Sequence, residues 1–115
     1  MRTRVMTAVV TAAAVAFVCT PVARAEDVKE TFTKNCTMCH GADLKGQTKV
    51  GQLRKIPDLT AADVRAKFDR SRMIKSVTEG VKDEDTGKEH MRAFGAKLSG
   101  AEIAALVDYV ISGAK

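Results

Sequence analysis

The sequence predicts an all-α domain of about four helices joined by long loops. Three features predict it. Apolar residues recur three and four apart over Asp27–Cys39 and again over Ile103–Ile111, the spacing that gathers them on one helical face. Ser99-Gly100-Ala101-Glu102 is a capping box, in which hydroxyl and carboxylate each satisfy the other residue's backbone N–H. No stretch alternates apolar and polar residues as a half-buried strand would.

The elements follow in chain order. Asp27 to Cys39 forms a first helix with Val28, Phe32, Cys36 and Cys39 on one face. Gly41 to Leu59 holds Gly41, Gly46, Gly51 and Pro57 and few apolar residues, which predicts a long loop. A loop of that length in a compact domain is expected to wrap something. Thr60 to Lys67 is a short helix, with Thr60 as N-cap and Asp63 three residues on. Ser71 to Glu79 is another, with Met73, Ile74 and Val77 on one face and Gly80 ending it. Val81 to His90 is a charged loop. Ser99 then caps the clearest helix, whose Ile103, Leu106, Val107, Val110 and Ile111 share a face before Gly113 ends it.

Composition bounds the function. The 115 residues suit one domain, and 45% hydrophobic with 29% charged residues is ordinary for a soluble globular protein. That excludes a disordered chain, a collagen-like chain and a disulfide-dense mini-protein. Residues 1–25 form an expected secretory signal peptide. Arg2 and Arg4 start it, Val5 to Cys19 is apolar apart from two threonines, and Ala23-Arg24-Ala25 offers small residues for cleavage after Ala25. The apolar stretch is short for a membrane anchor. The absence of an Arg-Arg pair favours general secretion over the twin-arginine route, and Val18 before Cys19 argues against a lipoprotein.

Removing 25 residues leaves a domain of 90, residues 26–115, with Lys+Arg falling from 19 to 16 against 14 acidic residues, a net charge of +2. The basic character belongs largely to the leader, so nucleic-acid binding, which needs clustered cations, loses its support. Two of the three cysteines remain, Cys36 and Cys39.

These two carry the most informative motif, Cys36-Thr37-Met38-Cys39-His40. A Cys-x-x-Cys pair serves as a thiol redox couple, half a zinc site or two thioether anchors. Zinc needs further soft donors, and the exported domain has no other cysteine. A thioredoxin-like couple follows a strand, and here a helix precedes the motif. His40 decides for the third reading, because Cys-x-x-Cys-His is the c-type haem attachment signature. Two thiols three apart on a helical turn add to the two vinyl groups of one haem edge. The next residue then lies under the iron as its proximal ligand. The macrocycle supplies the apolar centre that a chain with 4% aromatic residues otherwise lacks. The apo chain is expected to be largely unfolded.

The iron's other face needs a ligand or stays open. Met38 lies inside the attachment loop and cannot reach it. Met73 sits on an apolar helical face, where core packing is the plainer role. That leaves His90 and Met91. Neighbours in an extended segment point to opposite sides, so one ligates and the other faces solvent. A thioether would favour reduced iron and raise the potential.

Phe32 four before Cys36, the run from Cys36 to Gly41, Pro57-Asp58-Leu59, Met91-Arg92-Ala93-Phe94, and Lys97-Leu98-Ser99 followed by Leu106 and Tyr109 occur in a familiar order. Over nearly all of residues 26–115 the chain resembles the small soluble monohaem cytochromes c of bacteria and photosynthetic organisms. The resemblance implies a cytochrome c fold, with loops wrapped around one covalent haem c. It implies terminal helices crossing near Phe32 and Tyr109. It selects Met91 as distal iron ligand beside proximal His40, has the Pro57 carbonyl hold the His40 Nδ1–H, and packs Leu59 on the haem. Two positions depart from the pattern. Val28 stands where the family commonly has a small residue, and Arg92 stands where it commonly has proline, so the axial segment lacks a fixed φ.

The function expected is that of a periplasmic monomer, a one-electron carrier and not an enzyme, working with redox protein partners and with no stable membrane insertion after cleavage. The alternative is a haem c sensor or peroxidase-like protein with a displaceable sixth ligand, and a third reading is a haem-free thiol oxidoreductase. Lys34, Lys45, Lys49, Arg54 and Lys55 are candidates to ring the exposed haem edge, and Arg54 and Arg65 are candidate propionate partners. The acidic run Asp83 to Glu89 lacks a full calcium-ligand pattern and is expected to be solvated loop.

Overall fold

The computed structural model describes residues 11–18 and 25–115. Most of the expected signal peptide, with Ala23 and Arg24 of its cleavage site, lies outside the described residues; residues 11–18 are exposed and carry no helix or strand. Among the described residues no helix is long and apolar enough to cross a membrane. The elements are α1 (Ala25–Asn35), α2 (Thr37–His40), α3 (Lys49–Leu53), α4 (Ala62–Arg65), α5 (Arg70–Glu79), β1 (Val81–Lys82), β2 (Glu89–Met91) and α6 (Gly100–Ile111).

The predicted first helix is present but breaks at Cys36, so the motif sits on its own turn. The hydrogen bonds run through the break, from Cys36 N to Phe32 O at 2.8 Å and from His40 N to Cys36 O at 2.9 Å. α6 matches its expected start and stop. Glu102 N donates to Ser99 Oγ while Ser99 N donates to the Glu102 carboxylate, closing the capping box. At the other end Gly113 adopts φ +83°, and Ala114 N and Gly113 N close back on Tyr109 O and Val110 O, a Schellman ending. α5 starts one residue earlier than expected, at Arg70, because the Asp69 carboxylate caps it, accepting from Arg72 N at 2.9 Å.

Three local expectations are corrected. Thr60 does not cap α4. Its hydroxyl and its N–H both donate to Asp58 Oδ1, so an Asx turn takes the group that the helix would have used. The Gly41–Leu59 loop contains α3, capped by Thr48, whose Oγ1 accepts from Gly51 N at 2.9 Å. The Val81–His90 loop is a short antiparallel hairpin, with Val81 opposite Met91 and Lys82 opposite Glu89. Its turn is built by Asp83, whose Oδ1 accepts from Asp85 N, Thr86 N and the Thr86 hydroxyl. Those bonds hold the Asp83 carboxyl well below the usual range, at about 2.

The core is small. Its buried apolar residues are Phe32, Leu44, Phe94, Ile103, Leu106 and Val107. Phe32 packs on Tyr109 with ring centroids 5.2 Å apart and planes 59° apart, so α1 and α6 cross there, the tilted geometry that aromatic pairs favour. Val28 joins this cluster with Cys36, Leu59 and Leu98. α5 is different, because none of its residues is fully buried, although Met73, Ile74 and Val77 form the apolar face the spacing predicted. Arg70 ties the start of α5 to α6 through two bonds to Asp108, of 2.7 and 2.9 Å; both side chains are exposed, so the pair adds little.

Candidate functional site

The space beside α5 is a cavity of about 660 Å³, within the range of small-molecule and cofactor sites. Cys36, Cys39 and His40 of the motif line it, together with Met73 and Val77 of α5, Met91 of β2, and Phe94, Leu106 and Val107 from the C-terminal part of the chain. Pro57 and Leu59 also line it. The residues singled out in the sequence therefore meet at one cavity, although they are spread from α2 to β2.

The loop after the motif fixes the motif's backbone. A helix end leaves carbonyls without partners. Here Thr48 Oγ1 donates to Cys39 O at 3.0 Å and Gly46 N donates to His40 O at 2.8 Å. Gly51 is required at the contact, since a Cβ there would meet the carbonyl oxygens of Gly46 and Cys39, the latter at 2.6 Å. Leu44 is fully buried in this loop at φ +65°, a conformation that side chains larger than glycine rarely adopt, and Leu59 N donates to its carbonyl.

The chemistry of the donor set fits haem. His40 is largely buried, and burial pushes its pKa below the ordinary imidazole value, so the ring is neutral at neutral pH, the form that binds a metal. Its Nδ1 is buried and has no hydrogen-bond partner, unlike a histidine that merely fills a core. The contact from Pro57 O implied by the resemblance is thus not made; Pro57 lines the cavity instead. The two cysteines are not joined in a disulfide. Burial, and secondarily the neighbouring Cys39, push the Cys36 thiol up to about 11, the opposite of the low pKa that a thiol redox centre uses. Two thiols, a neutral imidazole and apolar walls make a cradle for an apolar macrocycle with a metal centre. Among the described residues no group of three or more His, Cys, Asp or Glu is placed to hold a bare metal ion.

His90 and Met91 differ in their surroundings. His90 is exposed and its Nε2 lies 3.4 Å from Asp83 Oδ2, on the hairpin. Met91 is half-buried. Met73, read from the sequence as core, is half-buried and lines the cavity too. Helical spacing shows that this face is apolar but not whether protein or cofactor covers it. Of the cations expected around the site, Lys34, Arg54 and Lys55 line the cavity, as do Lys67, Arg72, Arg92 and Lys97 from later in the chain, while Lys45 and Lys49 do not. Arg65 is not a wall residue. Its guanidinium donates to Ile111 O at 2.6 Å and to Leu59 O at 3.5 Å and lies 5.2 Å from the Phe68 ring centroid, so it braces the end of α6.

Gly80 links α5 to the Met91 segment. It adopts φ +79°, and a Cβ there would lie 2.7 Å from Met91 O and 2.9 Å from Ala93 N. Gly80→Ala is expected to push β2 away and to strain the turn, at about 2 kcal/mol or more. Thermal melts and the haem spectrum of the variant check this: a lower Tm and an altered iron environment are expected together.

Helices crossing at Phe32 and Tyr109, a Cys-x-x-Cys-His turn and one apolar cavity define a small c-type cytochrome. The chain belongs to the family described as cytochrome C oxidase, cbb3-type, subunit III, whose model matches residues 23–110. Two solved structures are similar to it. One is the KustC0563 c-type cytochrome, with 28% identity and a TM-score of 0.62 over 76% of this chain and 96% of that one. The other is a point mutant of Kustc0563, with 31% identity and a TM-score of 0.65 over 77% of this chain and 99% of that one. No curated protein matches the chain. Covalently bound haem c with its iron, and electron transfer through it, are the properties of this family.

Proposed function

We propose that the protein is an exported one-electron carrier whose haem c is joined to Cys36 and Cys39 and whose iron is held by His40 and Met91. The observation that carries the reading is the meeting of a buried, unpartnered imidazole and a half-buried thioether at one apolar cavity beside two thiols. When bound, haem supplies the one-electron couple. The protein's part is to hold and shield it. Phe32, Leu59, Phe94 and Leu106 exclude water, the Gly46–Gly51 segment fixes the carbonyls of the ligand turn, and two protein ligands leave iron no place for a substrate. Export is read from the Arg2–Ala25 segment, and a monomer that meets its partners briefly is the state proposed.

Charge supports a protein partner with an acidic face. Lys34, Lys55, Arg72 and Lys97 stand around the cavity, where Asp69 is the one acidic wall residue among those described, and its carboxylate caps α5. A second reading, a sensor or peroxidase-like site with a displaceable sixth ligand, is favoured by Arg92 standing where proline would stiffen the axial segment. Absorbance spectra of the purified protein test both. A pyridine haemochrome of c type and a methionine–iron band that excess cyanide displaces only slowly support the carrier. Immediate loss of that band on adding cyanide supports the displaceable site, and colourless protein with two free thiols overturns both.

A further inference from the structure

We propose that Arg54 is a positioning residue for Met91, tying the loop that braces the ligand turn to the strand that carries the thioether. The proposal rests on the reading of Met91 as iron ligand. Arg54 follows α3, and its Nη1 donates to His90 O at 3.0 Å. Among the described residues this is the one hydrogen bond between the Gly41–Leu59 segment and the hairpin. Its anchor is firm. α3 is capped by Thr48, whose hydroxyl also donates to Cys39 O, and Arg54 N donates to Val50 O at 3.0 Å.

The acceptor is what makes the contact specific. The carbonyl of His90 belongs to the same planar peptide unit as the N and Cα of Met91. Fixing that oxygen therefore fixes the backbone from which the thioether extends. The hairpin alone holds it weakly: β1 and β2 have two and three residues, with an irregular register between Val81 and Lys82. The next residue is Arg92, so no proline ring locks the backbone after Met91. A charged donor to a backbone carbonyl supplies the missing restraint. Because the bond is to the backbone, the His90 side chain is not needed for it.

The test compares oxidised wild-type, Arg54→Ala, Arg54→Lys, His90→Ala and Lys67→Ala proteins. Lys67 is a control for charge, being another cation on the cavity wall. The readouts are the rate of cyanide binding and the methionine–iron band. Arg54→Ala is expected to bind cyanide about tenfold faster (about 1.4 kcal/mol) and to show a weaker band. Arg54→Lys, which keeps a charged donor, should fall between it and wild type, while His90→Ala and Lys67→Ala keep the wild-type rate. Equal cyanide rates in Arg54→Ala and Lys67→Ala would overturn the proposal and reduce Arg54 to one more positive charge. Met91→Ala separates the two failures. If it opens the iron while Arg54→Ala does not, only the tether is wrong; if it changes nothing, the ligand reading has failed and the tether with it.

Discussion

Cys36→Ala with Cys39→Ala is expected to give a protein without covalent haem and without a cooperative fold. The cavity sets the size of the effect. Cavities left in cores destabilise by about 24 cal/mol per Å³. If even a third of the 660 Å³ stayed unfilled, the loss would be about 5 kcal/mol, against a total stability of about 5–15 kcal/mol for a typical domain. The six buried apolar side chains lie mostly on α6 and its contacts with α1, and α5 has no buried residue of its own. With nothing in the cavity, Met73 and Val77 of α5 would face water rather than an apolar surface. Circular dichroism melts and haem staining after denaturing electrophoresis check the result. Helical content and the melting transition should fall together, and haem added afterwards should restore part of both yet be removed by acidified organic solvent. A colourless variant melting like wild type would show that the fold supports itself.

The same dependence explains which parts the sequence foretold. The Cys-x-x-Cys-His turn, the Ser99 capping box and the α6 stripe are local patterns, and each carries its own hydrogen bonds or periodicity, so each stood where expected. The hairpin was missed because two- and three-residue strands are too short to alternate, and its signal lay in the turn, in Asp83 and Gly87. α3 was missed because Gly51 at its centre reads as a breaker, whereas it is there for close backbone approach to Cys39 and Gly46. Leu44 gave no signal at all, being a lone apolar residue between glycines that buries completely at positive φ. Met73 and Arg65 were misjudged for one shared reason. Spacing gives a residue's face, but only the fold decides whether that face meets a cavity, as for Met73, or distant carbonyls, as for Arg65.

Met91→Ala is expected to lower the midpoint potential by roughly 0.1–0.3 V, a part of the ~0.8 V that axial-ligand identity spans. The sign follows from ligand softness. A thioether stabilises reduced iron more than oxidised iron, so its removal favours the oxidised form and lowers the potential. Water or an added anion then reaches the metal, so the methionine–iron band should vanish and cyanide should bind without delay. The structure supplies two rivals, and each has its own control. His90 is exposed and paired with Asp83, so His90→Ala should leave the low-spin spectrum and the potential nearly unchanged. His90 and Met73 both line the cavity, but Met73 is half-buried on α5 and His90 is exposed, so Met73 is the more serious rival. If Met73→Ala abolished the band and Met91→Ala did not, the thioether would come from the helix, and the hairpin would be only a wall. Loss of the band in Met91→Ala alone assigns the ligand to β2 and makes the Gly80 contact part of how the potential is set, since Gly80 packs against the Met91 carbonyl.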